Sequence, residues 1–456
     1  LLNTLLASTP MHHDLASAVD ADFARTRQEL EALIRIPSVS MADFDAGEVR
    51  RSAEAVVELL TSSGFAGVRL LEVEGAHPAV YGEIAGPAGA PTVLLYAHHD
   101  VQPPGPAEEW ESAPFEPTER DGRLFGRGSS DDKAGVVMHA AAIRALGDDI
   151  PVTVKIFAEG EEEVGSTHLV EFMNAYQDLL AADAVVIADS TNWGVGVPAL
   201  TTSLRGLVDC IVEVNTLETA VHSGEFGGVV PDAIIALARI IASLHDDEGN
   251  VAIPGLVTGE ADDLDLTEAG LRERAGALDG LELIGSGGLT ARMWRKPAVS
   301  VLAVDAPPIS EAINQIVPRA RAKVSMRIAP GQAAADAMRA LTKHLESAAP
   351  WGVQVKVTPG AIGEPFDADT EGPVPATFAA ALAAGYGAEV VKIGVGGSIP
   401  IVSAFEQAHP QAAIVLLGVA DPTSKAHGPN ESLSLDDLRN GILAEAIALR
   451  MLGEGS

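Results

Sequence analysis

The sequence predicts an α/β fold: a main domain with a mixed, mostly parallel sheet covered by helices, interrupted by an inserted two-layer α+β domain. Three observations carry this expectation. Short, continuously apolar runs alternate with Ala-rich segments whose apolar residues recur every three or four positions, as buried parallel strands joined by helices require. After residue 205 the strand-like runs change to an alternating apolar/polar pattern, and the first pattern returns beyond about residue 360. At 456 residues and 47% hydrophobic content the chain is long enough to build both bodies. The expected division is 1–204 for the first part of the main domain, 205–360 for the insertion and 361–456 for the second part of the main domain.

In chain order, the runs at 93–97 (VLLYA), 152–158 (VTVKIFA), 184–188 (AVVIA) and 413–418 (AIVLLG) read as strands covered on both faces. Apolar periodicity predicts helices over 50–63, 133–146, 168–181, 375–385 and 434–452. Within the insertion, alternating strands are expected at 206–216 (GLVDCIVEVNT), 298–304 (AVSVLAV), 322–330 (AKVSMRIAP) and 353–358 (VQVKVT), with helices over 231–245 and 332–348. The acidic, Gly-rich stretch 246–290 reads as surface loop with short helix.

Thirty basic residues against sixty-four acidic ones leave a net charge of −34, a field that repels nucleic acid and anionic membranes. No stretch approaches the roughly 18 consecutive apolar residues of a membrane span. The N-terminal LLNTLLASTPMHH lacks the basic start and the hydrophobic length of an export signal, and Met11 is a candidate natural start. A single cysteine, Cys210, excludes an intramolecular disulfide, and its apolar neighbours place it in a buried strand. These features together suggest a cytoplasmic protein.

Ligands of open α/β sheets gather beyond the carboxyl ends of the strands. VLLYA is followed by His98, His99 and Asp100; VTVKIFA leads into EGEEEVG with Glu161, Glu162 and Glu163; AVVIA is followed by Asp189. GRGSSDDKAG brings Asp131 and Asp132 ahead of a helix, and AHGPNES brings His427 after the last apolar strand. Each item alone is a weak signal, since a charge run such as EGEEEVG is commonly a solvated turn. Histidine and carboxylate at several successive strand ends form a ligand set for zinc, with manganese or cobalt as alternatives. A divalent cation also reverses the repulsion among the clustered carboxylates.

The ordered series HHDVQP, DGRLFGRGSSDDKAG, EGEEEVGS, VIADS, HSGEFGG, VSMRIAP, GGSIP and AHGPNES resembles the metallopeptidase family of carnosine dipeptidases, carboxypeptidase G, succinyl-diaminopimelate desuccinylase and aminoacylases. The resemblance runs from about residue 25 to 450 and is closest to the dipeptidase branch. It implies a main domain of zinc-exopeptidase type holding two divalent metal ions. His98 and Asp189 match the ligands of one ion, Glu163 and His427 those of the second, and Asp131 the carboxylate shared by both, with a cis peptide to Asp132. Two cations roughly 3.5–4 Å apart need such a shared negative ligand. Asp100 matches the carboxylate that orients the His98 imidazole. Glu162 matches the general base that takes a proton from the attacking water and returns it to the departing amine.

The resemblance further implies that His222, in the insertion, stabilises the oxyanion in the active site of the other subunit of a homodimer, making the insertion both lid and dimerisation module. Arg327, Gly397 and Ser398 match positions that hold the substrate's terminal carboxylate, and Asn314 matches a further substrate contact, its spacing to the following proline differing by one. The activity implied is hydrolysis of dipeptides or short peptides with a free C-terminal carboxylate. Two alternatives remain open: an N-acyl-amino-acid amidohydrolase, which needs the same groups, and a non-catalytic metal-binding scaffold, which the presence of Glu162 disfavours. No function attaches to Glu159, Glu161, His77, His99, His139, His168, His245, His344 or His409. The two glutamates read as solvated turn residues, and Trp110 reads equally as site lining or as a structural staple.

Overall fold

The computed structural model describes residues 10–397 and 399–454, and these form two compact units. The first contains the described residues up to Thr202, Ala368–Ile393 and the chain from Pro400 onward; the second contains Ser203–Asp367 and Gly394–Ile399. The second unit therefore reaches past residue 360, where the alternating pattern fades, because the strand Gln354–Gly363 stays paired along its length.

The first unit is built on β1 (Ala66–Leu71), β2 (Ala79–Ile84), β3 (Thr92–His98), β4 (Thr118–Arg120), β5 (Arg123–Phe125), β6 (Thr153–Glu159), β7 (Ala184–Ile187) and β8 (Ala199–Leu204), with a further strand at Ala413–Leu416. The main sheet runs β1-β2-β6-β3-β7, then Ala413–Leu416, then β8. Its centre is parallel: Thr92 to His98 of β3 align with Thr153 to Glu159 of β6, and β7 pairs in parallel with β3 and with Ala413–Leu416. Antiparallel strands flank this centre on both sides. Parallel pairing brings the carboxyl ends of four strands to one edge of the sheet.

The central strands are apolar throughout because both faces are covered. Val93 to Ala97 are completely buried, each large side chain contributing about 1.5–3 kcal/mol. Helix Lys133–Leu146 is covered nearly all round, and packs with Pro10–Ile34 and Leu435–Glu454 into the same core. Asp132 caps it, its Oδ1 accepting Gly135 N, and Gly147 ends it at φ 63°. The helix Pro10–Ile34 was not expected from the sequence; it buries Leu15, Val19, Leu30, Leu33 and Ile34. The helix expected over 168–181 is two, Leu169–Ala175 and Gln177–Leu180. Tyr176 breaks it: its ring stacks on Phe172, and its hydroxyl bonds the backbone of Glu72 as donor at 3.0 Å and acceptor at 3.2 Å.

The second unit centres on β9 (Gly206–Asn215) in an antiparallel sheet of order Ala298–Asp305, Arg319–Ile328, β9, Gln354–Gly363. Helices Ala233–Ala242 and Ala334–Ser347 cover one face, packing on Val208, Cys210, Val212 and Val214. Burial pushes the free Cys210 thiol up to about 11, as suits an inert core residue. Ala298–Asp305 is an edge strand with Leu302 59% and Val304 55% exposed.

Candidate metal centre

The parallel edge of the first unit gathers every candidate ligand. His98 ends β3, Asp189 follows β7 by two residues, and Glu162 and Glu163 open a single 3-10 turn after β6. Asp131 enters from the segment before helix Lys133–Leu146, joined to Asp132 by a cis peptide, and His427 from the loop after Ala413–Leu416. Ligand atoms of His98, Asp131 and Glu163 lie within 4.8 Å of one another, as do those of His98, Glu162 and Asp189. His427 Nε2 completes the set, 3.0 Å from Asp131 Oδ2 and 3.2 Å from Glu163 Oε2. Asp131 thus stands between the two histidines, its other oxygen 3.1 Å from His98 Nε2.

The orientation of His98 follows from its second nitrogen. Nδ1 lies 3.1 Å from the Asp100 backbone carbonyl, which can only accept, so Nδ1 carries a hydrogen and Nε2 is the nitrogen turned to the carboxylates, bonded to Asp131 and able to ligate once it gives up its proton. Asp100 is completely buried and accepts the Ser40 hydroxyl at 2.6 Å, Glu162 N at 3.2 Å and Glu163 N at 3.1 Å. Gln102 holds Glu163, its N and Nε2 donating to the two carboxylate oxygens at 3.1 and 2.8 Å. Ser40 and Gln102 were missed in the sequence, although Gln102 lies within the HHDVQP motif.

The electrostatics call for added positive charge. Burial, reinforced by the Asp131 and Glu163 charges, pushes the Asp189 carboxyl up to about 7 even against the pull of His98. Burial and then the Asp189 charge carry Glu162 well above the usual carboxylate range. Hydrogen bonds to Asp131 and Glu163 raise the His427 imidazole to about 10. Burial opposes ionisation of Asp131, yet the bonds from His427 and His98 hold it well below its ordinary value. Among the described residues no lysine or arginine pairs with these carboxylates. Two imidazoles and a surplus of buried carboxylates fit a pair of divalent cations, which would cancel the repulsion a protonated histidine now only partly offsets.

Two of the four glutamates in EGEEEVG differ from expectation: Glu159 and Glu161 are not solvated but 1% and 3% exposed. Glu159 accepts the Tyr96 hydroxyl at 2.7 Å, and burial lifts its carboxyl to about 7. Glu161 accepts His77 N at 2.8 Å and pairs with His168 at 2.9 Å, bracing the turn that carries its two neighbours. Trp110 is a staple, its Nε1 donating to Pro104 O at 2.7 Å. His139 is buried against Glu445, as a packing histidine.

The remaining candidates lie in the second unit, apart from Ser398, which is outside the described residues. His222 is exposed, and its Nδ1 accepts Gly224 N at 3.1 Å. An accepting Nδ1 leaves the hydrogen on Nε2, so the free side of the ring is a donor. His222 pairs with Gln315, next to Asn314, whose carbonyl accepts Ser223 N at 3.2 Å. Arg327, on Arg319–Ile328, is half-buried, and burial lowers its pKa. Arg205, passed over in the sequence, stands beside the same loop as Gly397: a Cβ on Gly396 would fall 2.7 Å from its Nη2. Burial and then the Arg327 charge bring Arg205 down to about 10, and neither arginine has a carboxylate partner among the described residues.

A helix-covered parallel sheet with histidine and carboxylates clustered at its carboxyl edge defines a metal-dependent hydrolase with two clustered metal-ligand sites. The chain belongs to peptidase family M20/M25/M40, whose family model matches residues 94–450. It is accordingly a metallopeptidase of that family and is related to its dipeptidase-type branch. It is 36% identical over 440 residues to the cysteinylglycine-S-conjugate dipeptidase of Corynebacterium striatum, covering 94% of this chain and 96% of the relative. Over 381 residues it is 29% identical to the Beta-Ala-His dipeptidase of Rattus norvegicus, covering 78% and 76%. The crystal structure of the M20 family metallo-carboxypeptidase Sso-CP2 from Sulfolobus solfataricus matches with a TM-score of 0.81 at 26% identity, over 94% of this chain and 99% of that one. No helix among the described residues is long and apolar enough to cross a membrane.

Proposed function

We propose that this metallopeptidase is an exopeptidase that hydrolyses dipeptides or other short peptides bearing a free C-terminal carboxylate. The observation that carries the reading is the turn after β6, which presents Glu162 and Glu163 side by side to His98, Asp131, Asp189 and His427. The relatives named as dipeptidases support the substrate class. In our assignment His98 and Asp189 would hold one divalent cation, Glu163 and His427 the other, with Asp131 serving both. Zinc is the preferred ion on the donor set, with manganese or cobalt as alternatives. When bound, the pair supplies Lewis-acid polarisation of the scissile carbonyl and acidifies the attacking water.

The chain's own groups do the rest. Glu162 accepts one proton from the water as its oxygen bonds to the amide carbon. It delivers that proton to the departing nitrogen as the C–N bond breaks, leaving a carboxylic acid and a free amine. To His222 we assign donation from Nε2 to the oxyanion, acting across a homodimer formed through the second unit. To Arg327, Gly397 and Ser398 we assign the terminal carboxylate, with Arg205 as a second guanidinium and Asn314 as a further contact. The exposed apolar edge strand Ala298–Asp305 supports dimerisation, and the single buried cysteine supports a cytoplasmic location.

The test is a panel of dipeptides run beside N-acetyl and N-succinyl amino acids on metal-reconstituted protein. Turnover of dipeptides at least tenfold above the acylated amino acids is expected. The reverse preference would establish the amidohydrolase alternative, and no turnover of either would leave the scaffold reading.

A further inference from the structure

Glu431 neither ligates nor reacts in the mechanism above, yet it is completely buried and gathers donors from one short segment. Its Oε2 accepts Arg127 Nη1 at 2.7 Å and Gly128 N at 3.0 Å. Its Oε1 accepts Ser130 N at 2.8 Å, Ser130 Oγ at 3.0 Å and Asp131 N at 3.2 Å. Gly126 N adds a bond to its backbone carbonyl at 3.0 Å. The carboxylate therefore fixes residues 127–131, the stretch that ends at the residue between the two histidines.

Four residues before Glu431 is His427. Its side chain is 59% exposed, whereas Asp131 and Glu163, the groups it meets, are 14% and 2% exposed. The loop around it has no strand or helix of its own, and Lys425, His427 and Asn430 all have φ between 56° and 63°. It is held at its two ends: Asp421 and Ser424 bond Arg123 at its start, and at its close Gly428 O accepts Arg127 Nη2 at 3.3 Å, Asn430 bonds the backbone of Glu109 and Glu111, and Glu431 bonds the Asp131 segment. His98 and Asp189 differ in kind, since each sits at or two residues past a central parallel strand.

We propose that Glu431 is a positioning residue that sets His427 against Asp131, and that it governs the ion for which His427 is a ligand far more than the ion taken by His98 and Asp189, because the shared Asp131 is also held through Asp132, whose carboxylate accepts Gly135 N and His98 N. The inference rests on the two-ion reading. Removing the charge leaves Arg127 and several N–H groups competing for poorer partners in a buried place, and the freed loop carries His427 out of register.

The test titrates Co2+ into full-length metal-free protein, reading stoichiometry by equilibrium dialysis and ligand geometry by the cobalt d–d absorption. The wild type should take two ions. Glu431→Gln should bind its first ion within roughly threefold of wild type and its second about 10–100-fold more weakly, the range typical of lost support behind a ligand. Glu445→Gln, which disrupts a buried pair elsewhere, should lower thermal stability and leave both affinities unchanged. Should Glu431→Gln fail to fold, Glu431→Asp, which keeps the charge opposite Arg127 but shortens its reach, carries the same expectation. Equal weakening of both ions, or of neither, in a folded variant overturns the inference alone. A wild type that binds a single ion overturns the two-ion reading and the inference with it.

Discussion

Asp100 accepts the backbone N–H of Glu163 at 3.1 Å, so the residue whose carbonyl aligns the His98 ring also holds the turn carrying both glutamates. One buried carboxylate thereby sets the distance between the candidate ligands on β3 and those beyond β6. Asp100→Ala should weaken zinc binding by the metal-free protein about 10–100-fold, measured by competition with a chelating dye. Affinity unchanged from wild type would show that the turn holds its own geometry without Asp100.

Ser40 tests the same support at smaller cost. Its hydroxyl donates to Asp100 at 2.6 Å in a buried place. Ser40→Ala should lower unfolding free energy by about 1–3 kcal/mol, read by urea denaturation, with metal stoichiometry unchanged. A loss of metal would instead place Ser40 among the groups that orient His98.

His139 gives a pH signature remote from the ligands. Burial disfavours its imidazolium, but the Glu445 charge and hydrogen bond, with the Tyr96 carbonyl, more than offset this and leave its pKa raised. A raised folded-state pKa means the stabilisation is fully present below the unfolded value of about 6.5 and fades as pH rises through the folded value. The stability difference between wild type and His139→Gln should therefore be larger at about pH 6 than at about pH 9. A difference independent of pH, or growing with pH, would mean the pair is not an ion pair.

The edge strand carries the dimer prediction. Leu302 and Val304 are 59% and 55% exposed on a strand with one free edge, the kind of surface an isolated chain ordinarily protects. Light scattering should give a dimeric mass for the wild type and a monomeric mass for Leu302→Lys/Val304→Lys. A monomeric wild type would contradict the assignment of His222 to a neighbouring subunit.

Much of this was legible in the sequence, for identifiable reasons. Helix 133–146 was legible to the residue from its apolar periodicity, and the four parallel strands to within one or two residues, because burial on both faces makes them continuously apolar. The clustering of the candidate ligands followed, since parallel pairing leaves little freedom over which strand ends meet. The N-terminal helix was missed because its buried residues are interspersed with acidic and basic ones along a polar sequence. Glu159 and Glu161 were misread because a charge run ordinarily means solvent. Their partners Tyr96 and His77 lie 63 and 84 residues away, so only the fold reveals them. Glu431 escaped notice for the same reason: its donors come from about 300 residues earlier in the chain.

The central claim is that Glu162 moves the proton while its neighbours hold metal, and one measurement addresses it: dipeptide turnover by Glu162→Gln, with metal content determined on the same sample. The account predicts two ions per chain and a rate lowered roughly a hundred- to ten-thousand-fold, the usual contribution of a positioned acid–base group. Near wild-type turnover with both ions in place would contradict it.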